Sequence, residues 1–415
     1  MPLARTYAWA VIVVLWLSAC GASPESTDDR GADGGAPQES TDDGGAEGGA
    51  PCAFPSAASP EDVGMSTHKL RLAVDTARGW VESEAIVGGV LLVIRYGQIV
   101  AHEAFGWADR ERGLPMRKDT VFDIASDSKP LNGVAALMLY EERRLGLDDP
   151  VSRYLASWDN DSSREITIYQ LLTNTSGLPH SLNSYSSLAQ MVDQIGTEGP
   201  ELPPGTSYQY SDRGSNSLGR LTEVISGVPV ERFLAERIIT PLGLLDTFGV
   251  LEPSDARRSR VASKYTGGAG NWTKSWDNTE ASTTIFAPAY GLHSTVLDYG
   301  CFLDTMLRGG EGEGVQLLEA ETVRLATRPH SDYVYSPSER VDRYSYYGLH
   351  WFVTIESYDP DNWDATSHMF GHGGAWGTTA WADRLHDLVF VYFTQSRDAG
   401  MMTDLRDLVH DARVD

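Results

Sequence analysis

Residues 121–142 read "VFDIASDSKPLNGVAALMLYEE". The stretch arrives on apolar residues, reaches Ser126 and, three positions later, Lys129, and then runs into turns that are almost wholly apolar. It predicts a buried helix from about Ser126 to Arg144, stopped by Gly146. The chain has only five lysines, and one of them stands where that helix begins. Residues i and i+3 share a helix face, so the Lys129 side chain reaches the Ser126 hydroxyl. The helix N-terminus adds unpaired N–H groups and partial positive charge for any anion formed there. Pro130 is compatible, because the first turn has no intrahelical N–H bond to lose. A serine needs a neighbouring base before it is a good nucleophile. A capping serine beside a snorkelling lysine explains the same residues. The pattern also recurs at Ser66 and Lys69 in "MSTHKL", where capping of an amphipathic helix through Leu70, Val74, Ala77 and Val81 is sufficient.

Around this stretch, "GGVLLVIRY" and "IVAHEAFGWAD" are separated only by Gly97 and Gln98, a hairpin signal. From about Asp148 to Pro288 the pattern is short helices and loops. Strands return in "YGLHWFVTI", "TTAWAD" and "DLVFVYFTQ", the last two joined by "RLHD", with a final helix across "MTDLRDLVHDARV". Strand-rich ends around a helix-rich middle predict an α+β fold: one antiparallel sheet from both termini, flanked by helices, with an inserted helical lobe. The expected boundaries are a sheet lobe at about 60–147 and 289–415 and a helical lobe at about 148–288. The cleft between the lobes is the default site.

The 415 residues carry a formal charge of −25, which disfavours nucleic acid as a partner. Residues 1–19 have Arg5, an apolar run from Ala8 to Leu17 and small residues before Cys20, which is a targeting segment too short to span a bilayer. "LSACG" resembles a bacterial lipoprotein signal, with Cys20 as the lipid anchor and an extracytoplasmic protein tethered to the envelope. A plain secretory signal or a short anchor is the alternative. Gly21 follows the cysteine in place of the aspartate that, in such proteins, marks retention at the inner membrane. Residues 20–59 are Gly-rich and acidic, with "ESTDDRGADGGAPQ" repeated as "ESTDDGGAEGGAP", and read as a disordered tether. Cys52 and Cys301 form a disulfide if the compartment is oxidising, or remain free thiols. Cysteine offers no metal set. His368 and His372 imitate a zinc helix, but no Glu follows His368 and Gly371 interrupts the helix, so no metal is expected.

Several motifs in order resemble the β-lactamase-related serine hydrolases, the group of class C β-lactamases, D,D-peptidases, D-aminopeptidases and esterases. They include "VLLVIRYGQIVAHEAFGWAD", "DTVFDIASDSKPL", "LGLDDPVSRYLASW", "ITIYQLLTNTSGLPH", "YQYSDRGSNSLGRL", "YGLHST", "YGLHWFV" and "FGHGGAWGTTAWAD", and span residues 60–415. The resemblance implies a β-lactamase/transpeptidase-like fold, no cofactor, Ser126 as acyl-accepting nucleophile and Lys129 as its partner. The Tyr-x-Asn motif falls on Tyr210, Ser211 and Asp212, and the Lys-Thr-Gly motif on His372, Gly373 and Gly374. The implied oxyanion hole is the backbone N–H groups of Ser126 and Ala375. A class A template fails, because Ser211 and Asp212 are followed by Arg213 and "EGPEL" precedes that motif. The Gly-x-Ser-x-Gly of α/β-hydrolases is absent.

The departures bear on substrate. Asp212 stands where an asparagine is usual, and an ionised carboxylate only accepts hydrogen bonds, which weakens recognition of an acylamino side chain. It is also expected to hold Lys129 charged, since a neutral lysine near pH 7 costs on the order of 4 kcal/mol. Tyr210, as a phenolate favoured by Lys129, is then the expected general base. His372 is a weaker carboxylate anchor than lysine. These features point to a carboxylesterase acting on small neutral esters. A D,D-peptidase or D-aminopeptidase comes next, then a β-lactamase, with a non-catalytic binding or sensor lipoprotein as the alternative of another class. Asp127 has no account at this level.

Overall fold

The computed structural model describes residues 50–180, 185–279, 285–331, 345–354, 369–396 and 399–414. The targeting segment and Cys20 fall outside them, as do most of the tether and His368. Along the described chain the elements are α1 (Thr67–Glu82), β1 (Gly88–Arg95), β2 (Gln98–Asp109), β3 (Leu114–Pro115), β4 (Phe122–Asp123), α2 (Ser128–Glu141), α3 (Ile168–Leu172), α4 (Leu188–Glu198), α5 (Asp212–Ser226), α6 (Val230–Leu234), β5 (Lys264–Thr266) and β6 (Thr273–Trp276). Then follow β7 (His293–Ser294), α7 (Val296–Leu307), β8 (Glu311–Gly312), β9 (Val315–Gln316), α8 (Ala320–Ala326), β10 (Ser345–Tyr347), β11 (Phe352–Thr354), β12 (Met369–Gly373), β13 (Thr379–Asp383), β14 (Leu388–Thr394) and α9 (Ala399–Asp411).

Eight strands form one sheet in the order β10-β11-β12-β13-β14-β1-β2-β3, every neighbour antiparallel. The N-terminal hairpin closes directly on the C-terminal strand, with Leu91 opposite Tyr392. This is the α+β architecture expected. β1 is buried along its whole length because both faces are covered, and its period of two sorts the side chains. Val90, Leu92 and Ile94 join the large core with α2 and α7, while Leu91 and Val93 join a second core with Leu70 and Val74 of α1 and Leu405 and Val409 of α9. Fully burying each such side chain contributes roughly 1.5–3 kcal/mol.

α2 is the axis of the molecule, buried at every position from Ser128 to Leu139. A helix apolar all round must be covered all round. It is shorter than expected: a 3-10 turn at Ala125–Asp127 leads into it, and Arg143, at φ 58°, ends it before Gly146. A left-handed residue is a sufficient stop.

Three further expectations are corrected. "YGLHWFVTI" is two short strands, because Gly348 donates to the Trp351 carbonyl at 2.7 Å and His350 takes φ 66°. That turn is locked against α2 and α5. His350 Nε2 lies 3.0 Å from Ser215 Oγ, and a Cβ on Gly133 would come within 2.8 Å of the His350 Cβ. The middle of the chain is not all helical: β5 and β6 form a ribbon that returns to the sheet lobe, with Tyr265 donating to the Gln395 carbonyl at 2.9 Å. Finally, residues 50–59, expected within the tether, pack on the folded body: Cys52 is buried and bonded to Cys301, and Ser56 bridges Ile99 of β2.

Candidate active site

Ser126 sits in the 3-10 turn, and the residue before it is strained: Ala125 has φ 46°. A non-glycine residue there costs on the order of 1–2 kcal/mol, so its surroundings must hold it. Asp123 accepts from the Ala125 amide at 3.0 Å, and the Ser128 hydroxyl donates to the Ala125 carbonyl at 2.7 Å. The Leu292 amide in turn donates to Ser128 at 3.1 Å. The turn is thus tied to β4 and to the approach to β7.

Lys129 is fully buried on the first turn of α2, and its Nζ has three acceptors: Ser126 Oγ at 3.1 Å, Asp212 Oδ1 at 2.6 Å and the Ala289 carbonyl at 3.0 Å. Asp212 opens α5 two residues after Tyr210, whose ring lies 4.7 Å from Nζ and whose hydroxyl bonds Ser126. The four residues named from sequence therefore converge. Asn174, at φ 56°, fastens the Tyr210 segment by accepting from the Ser211 amide at 3.2 Å, and its carbonyl accepts from the Gln209 amide at 2.8 Å.

The electrostatics reverse one expectation. Burial pushes the Lys129 ammonium below the ordinary lysine value even though Asp212 pulls it up. Burial also pushes the Tyr210 phenol well above its ordinary value, the negative charge of Asp212 adds to that, and the hydrogen bond from Ser126 opposes it only in part. The phenolate base is therefore corrected: at rest Tyr210 is a phenol, first because it is buried and next because it faces the Asp212 carboxylate.

His372 and Gly373 close β12, and Gly374 follows it. The His372 ring is only 1% exposed, 4.7 Å from Phe352 and 6.1 Å from Tyr210 between centroids. Burial, and next the charge of Lys129, hold it well below its ordinary pKa, so it is neutral. Gly374 is required by close approach: a Cβ there would meet the Ile124 carbonyl at 2.3 Å. Thr378 donates to the same carbonyl at 3.1 Å, which seats the exposed Ala375 turn beside the nucleophile's turn.

Sequence reading missed the Ala289 carbonyl, which is positioned by the Asn216 side chain accepting from the Ala289 amide at 3.1 Å, and His180, whose Nδ1 is 3.7 Å from Asp212. Backbone carbonyls carry no sequence signal. It also missed a cavity of about 340 Å³ lined by Trp276, Phe286, Tyr290 and Trp376, whose two charged residues, Asp123 and Lys264, pair with each other at 2.5 Å.

A beta-lactamase family model matches residues 73–413. The chain belongs to the beta-lactamase family. Among its relatives, a putative D-alanyl-D-alanine carboxypeptidase of Escherichia coli K12 is 26% identical over 380 residues, 80% of this chain and 84% of that one. Esterase EstB of Burkholderia gladioli is 34% identical over 185 residues, 39% of this chain and 46% of EstB. The solved structure of EstCE1, described as a hydrolase with promiscuous acyltransferase activity, matches with TM-score 0.70 at 22% identity over 84% of this chain and 99% of that chain. The family is one of serine hydrolases, and its fold is the one described above.

Proposed function

We propose that the protein is a carboxylesterase that forms an acyl-enzyme on Ser126 from small neutral esters. The observation that carries this reading is Lys129 Nζ at 3.1 Å from Ser126 Oγ, in a site whose adjoining cavity offers no unpaired charge among its lining residues. A buried amine with depressed proton affinity takes the Ser126 proton as Oγ attacks the ester carbonyl. The Ser126 and Ala375 amides receive the oxyanion. The Tyr210 phenol, with raised proton affinity, gives its proton to the departing alkoxide. In the second half-reaction water attacks the acyl group, its proton returns to Tyr210, and the Lys129 ammonium reprotonates Ser126. His372 is neutral, and Asp212 lacks an amide N–H to donate; both features disfavour anionic acylamino substrates.

The envelope location belongs to the same proposal: lipid on Cys20, with the acidic Gly-rich segment as tether. The Cys52–Cys301 disulfide supports an oxidising compartment. The D,D-peptidase reading is the second, favoured by the length of the similarity to the E. coli relative.

The test is labelling by a fluorophosphonate, expected in the wild type and absent in Ser126→Ala, followed by turnover of p-nitrophenyl acetate, a D-Ala-D-Ala peptide and nitrocefin. Ester turnover should exceed the other two. Faster peptide cleavage would replace the esterase with the peptidase, and absence of labelling would leave a binding protein.

A further inference from the structure

On the other face of the sheet, away from Ser126, the chain assembles a second polar cluster that the hydrolase reading does not use. Asp383 ends β13 on the side covered by α1 and α9, His386 lies in the connection to β14, and His410 is in the last turn of α9. Asp383 Oδ1 accepts two backbone N–H groups, from Leu385 at 2.9 Å and His386 at 3.2 Å. That double bond to its own turn fixes the carboxylate and directs Oδ2 at two imidazoles. His386 Nδ1 lies 2.7 Å from Oδ2 and His410 Nδ1 3.5 Å from it. The donor atoms of the three side chains are all within 4.8 Å of one another.

A hydrogen-bonded tie within the turn explains Asp383 and His386. It does not require a second ring nitrogen, delivered by a different element, on the same oxygen. The geometry points to a structural divalent-metal site of the zinc type, with Asp383, His386 and His410 as protein ligands. Two imidazole nitrogens and one carboxylate oxygen suit Zn²⁺, which takes such donors at about 2.0–2.2 Å in a tetrahedron, so that neighbouring donors stand about 3.4 Å apart. The His410 pair, at 3.5 Å, already has about that separation, and the His386 pair, at 2.7 Å, has to open by about 0.7 Å. The carboxylate is buried, with its side chain 2% exposed, and the rings are 25% and 16% exposed, leaving an approach for the ion and a water as fourth ligand. The amide bonds to Oδ1 are the outer support that orients a ligating carboxylate. An ion held there fastens the C-terminal helix to the β13–β14 connection and has no part in the chemistry at Ser126.

The test uses the full chain, stripped with chelator and then titrated with Zn²⁺ by calorimetry, with thermal unfolding followed in parallel and Co²⁺ absorption as a probe of coordination. One equivalent should bind, raise the Tm and give the intense bands of a tetrahedral Co²⁺ site. His410→Ala and His386→Ala should each weaken Zn²⁺ binding more than about tenfold and remove the Tm rise, with ester turnover unchanged. His410→Gln keeps a hydrogen-bond donor for Asp383 and should behave like His410→Ala. The proposal is overturned if Zn²⁺ leaves the Tm of the wild type unchanged, or if these variants bind it as the wild type does. Because the readouts are binding and stability, neither outcome depends on whether the protein is an esterase.

Discussion

Two buried aspartates, one on each side of the nucleophile's approach, are treated in opposite ways. Asp109, at the end of β2, is 1% exposed and fully partnered: Arg112 Nε at 2.9 Å, Lys274 Nζ at 2.8 Å and Ser263 Oγ at 2.6 Å. Burial alone would raise its pKa, but these donors outweigh burial and hold it far below the carboxylate range. Asp127, next to Ser126, is 0% exposed, and neither carboxylate oxygen has a hydrogen-bond partner among the described residues. The Thr378 hydroxyl beside it donates to the Ile124 carbonyl, and burial, opposed only in part by Thr378 and the charge of Lys129, pushes the carboxyl up to about 7. Where the ribbon β5–β6 only has to stay attached, charge is paired. Beside the reacting groups the chain carries an unpaired acid, a left-handed alanine and a depressed lysine in adjacent turns. Strain and an unpartnered carboxyl thus meet beside Ser126, although left-handed residues also occur elsewhere, at Glu84, Arg143 and Asp387 among others.

The largest effects break the reactive region itself. Lys129→Ala should lower kcat/KM by on the order of 10³-fold or more, alike for p-nitrophenyl and simple alkyl esters, because it removes the base for Ser126. Tyr210→Phe should cost much more with alkyl than with p-nitrophenyl esters, since only a poor leaving group needs the phenol's proton. Equal losses across leaving groups would return Tyr210 to the role of base.

Removing one partner from the satisfied region should rank next. Asp109→Asn leaves Lys274 and Arg112 facing each other without their carboxylate, and denaturant unfolding should show a loss of about 3 kcal/mol, toward the low end for buried pairs because both cations are partly exposed. A change below the noise of that measurement would mean the pairing contributes nothing.

Asp127→Asn should do the reverse. A carboxyl whose pKa rises from 3.8 to about 7 on folding takes up a proton between those values, so stability falls as pH rises across that window. The full shift corresponds to about 4 kcal/mol, of which an unpaired asparagine leaves about 2. Urea unfolding of wild type and variant should coincide near pH 4 and diverge in favour of the variant by pH 8. The smallest effect belongs to Asp212→Asn. This carboxylate raises the Lys129 pKa against burial, so its loss should move the acid limb of the kcat/KM profile to lower pH by about one unit. A limb that stays in place would show that Lys129 is not the group titrating there.

Much of the fold was legible because its signals are local. α1, capped by Ser66, the β1–β2 hairpin and the β13–β14 hairpin follow from periodicity and turn residues within each segment. The split of "YGLHWFVTI" was not, because the break at His350 is held by Ser215 and by the bare Gly133, far away in the chain. Nor was the packing of the segment around Cys52, which depends on Cys301, 249 residues away.

The same division runs through the site. The spacing of Ser126 and Lys129 within one turn raised a candidate nucleophile and its partner, and the resemblance of the ordered motifs to the β-lactamase-related hydrolases supplied the choice over a capping serine and named Tyr210 and Asp212. The proposed assignment of Lys129 as base and Tyr210 as acid rests on the three-dimensional arrangement alone. A proton affinity sums burial and charge over every neighbour, and the neighbours of Lys129 come from α5 and from the Ala289 segment as well as its own turn. Tyr210 is buried beside the carboxylate of Asp212, so the sign of its shift could be read only from that packing.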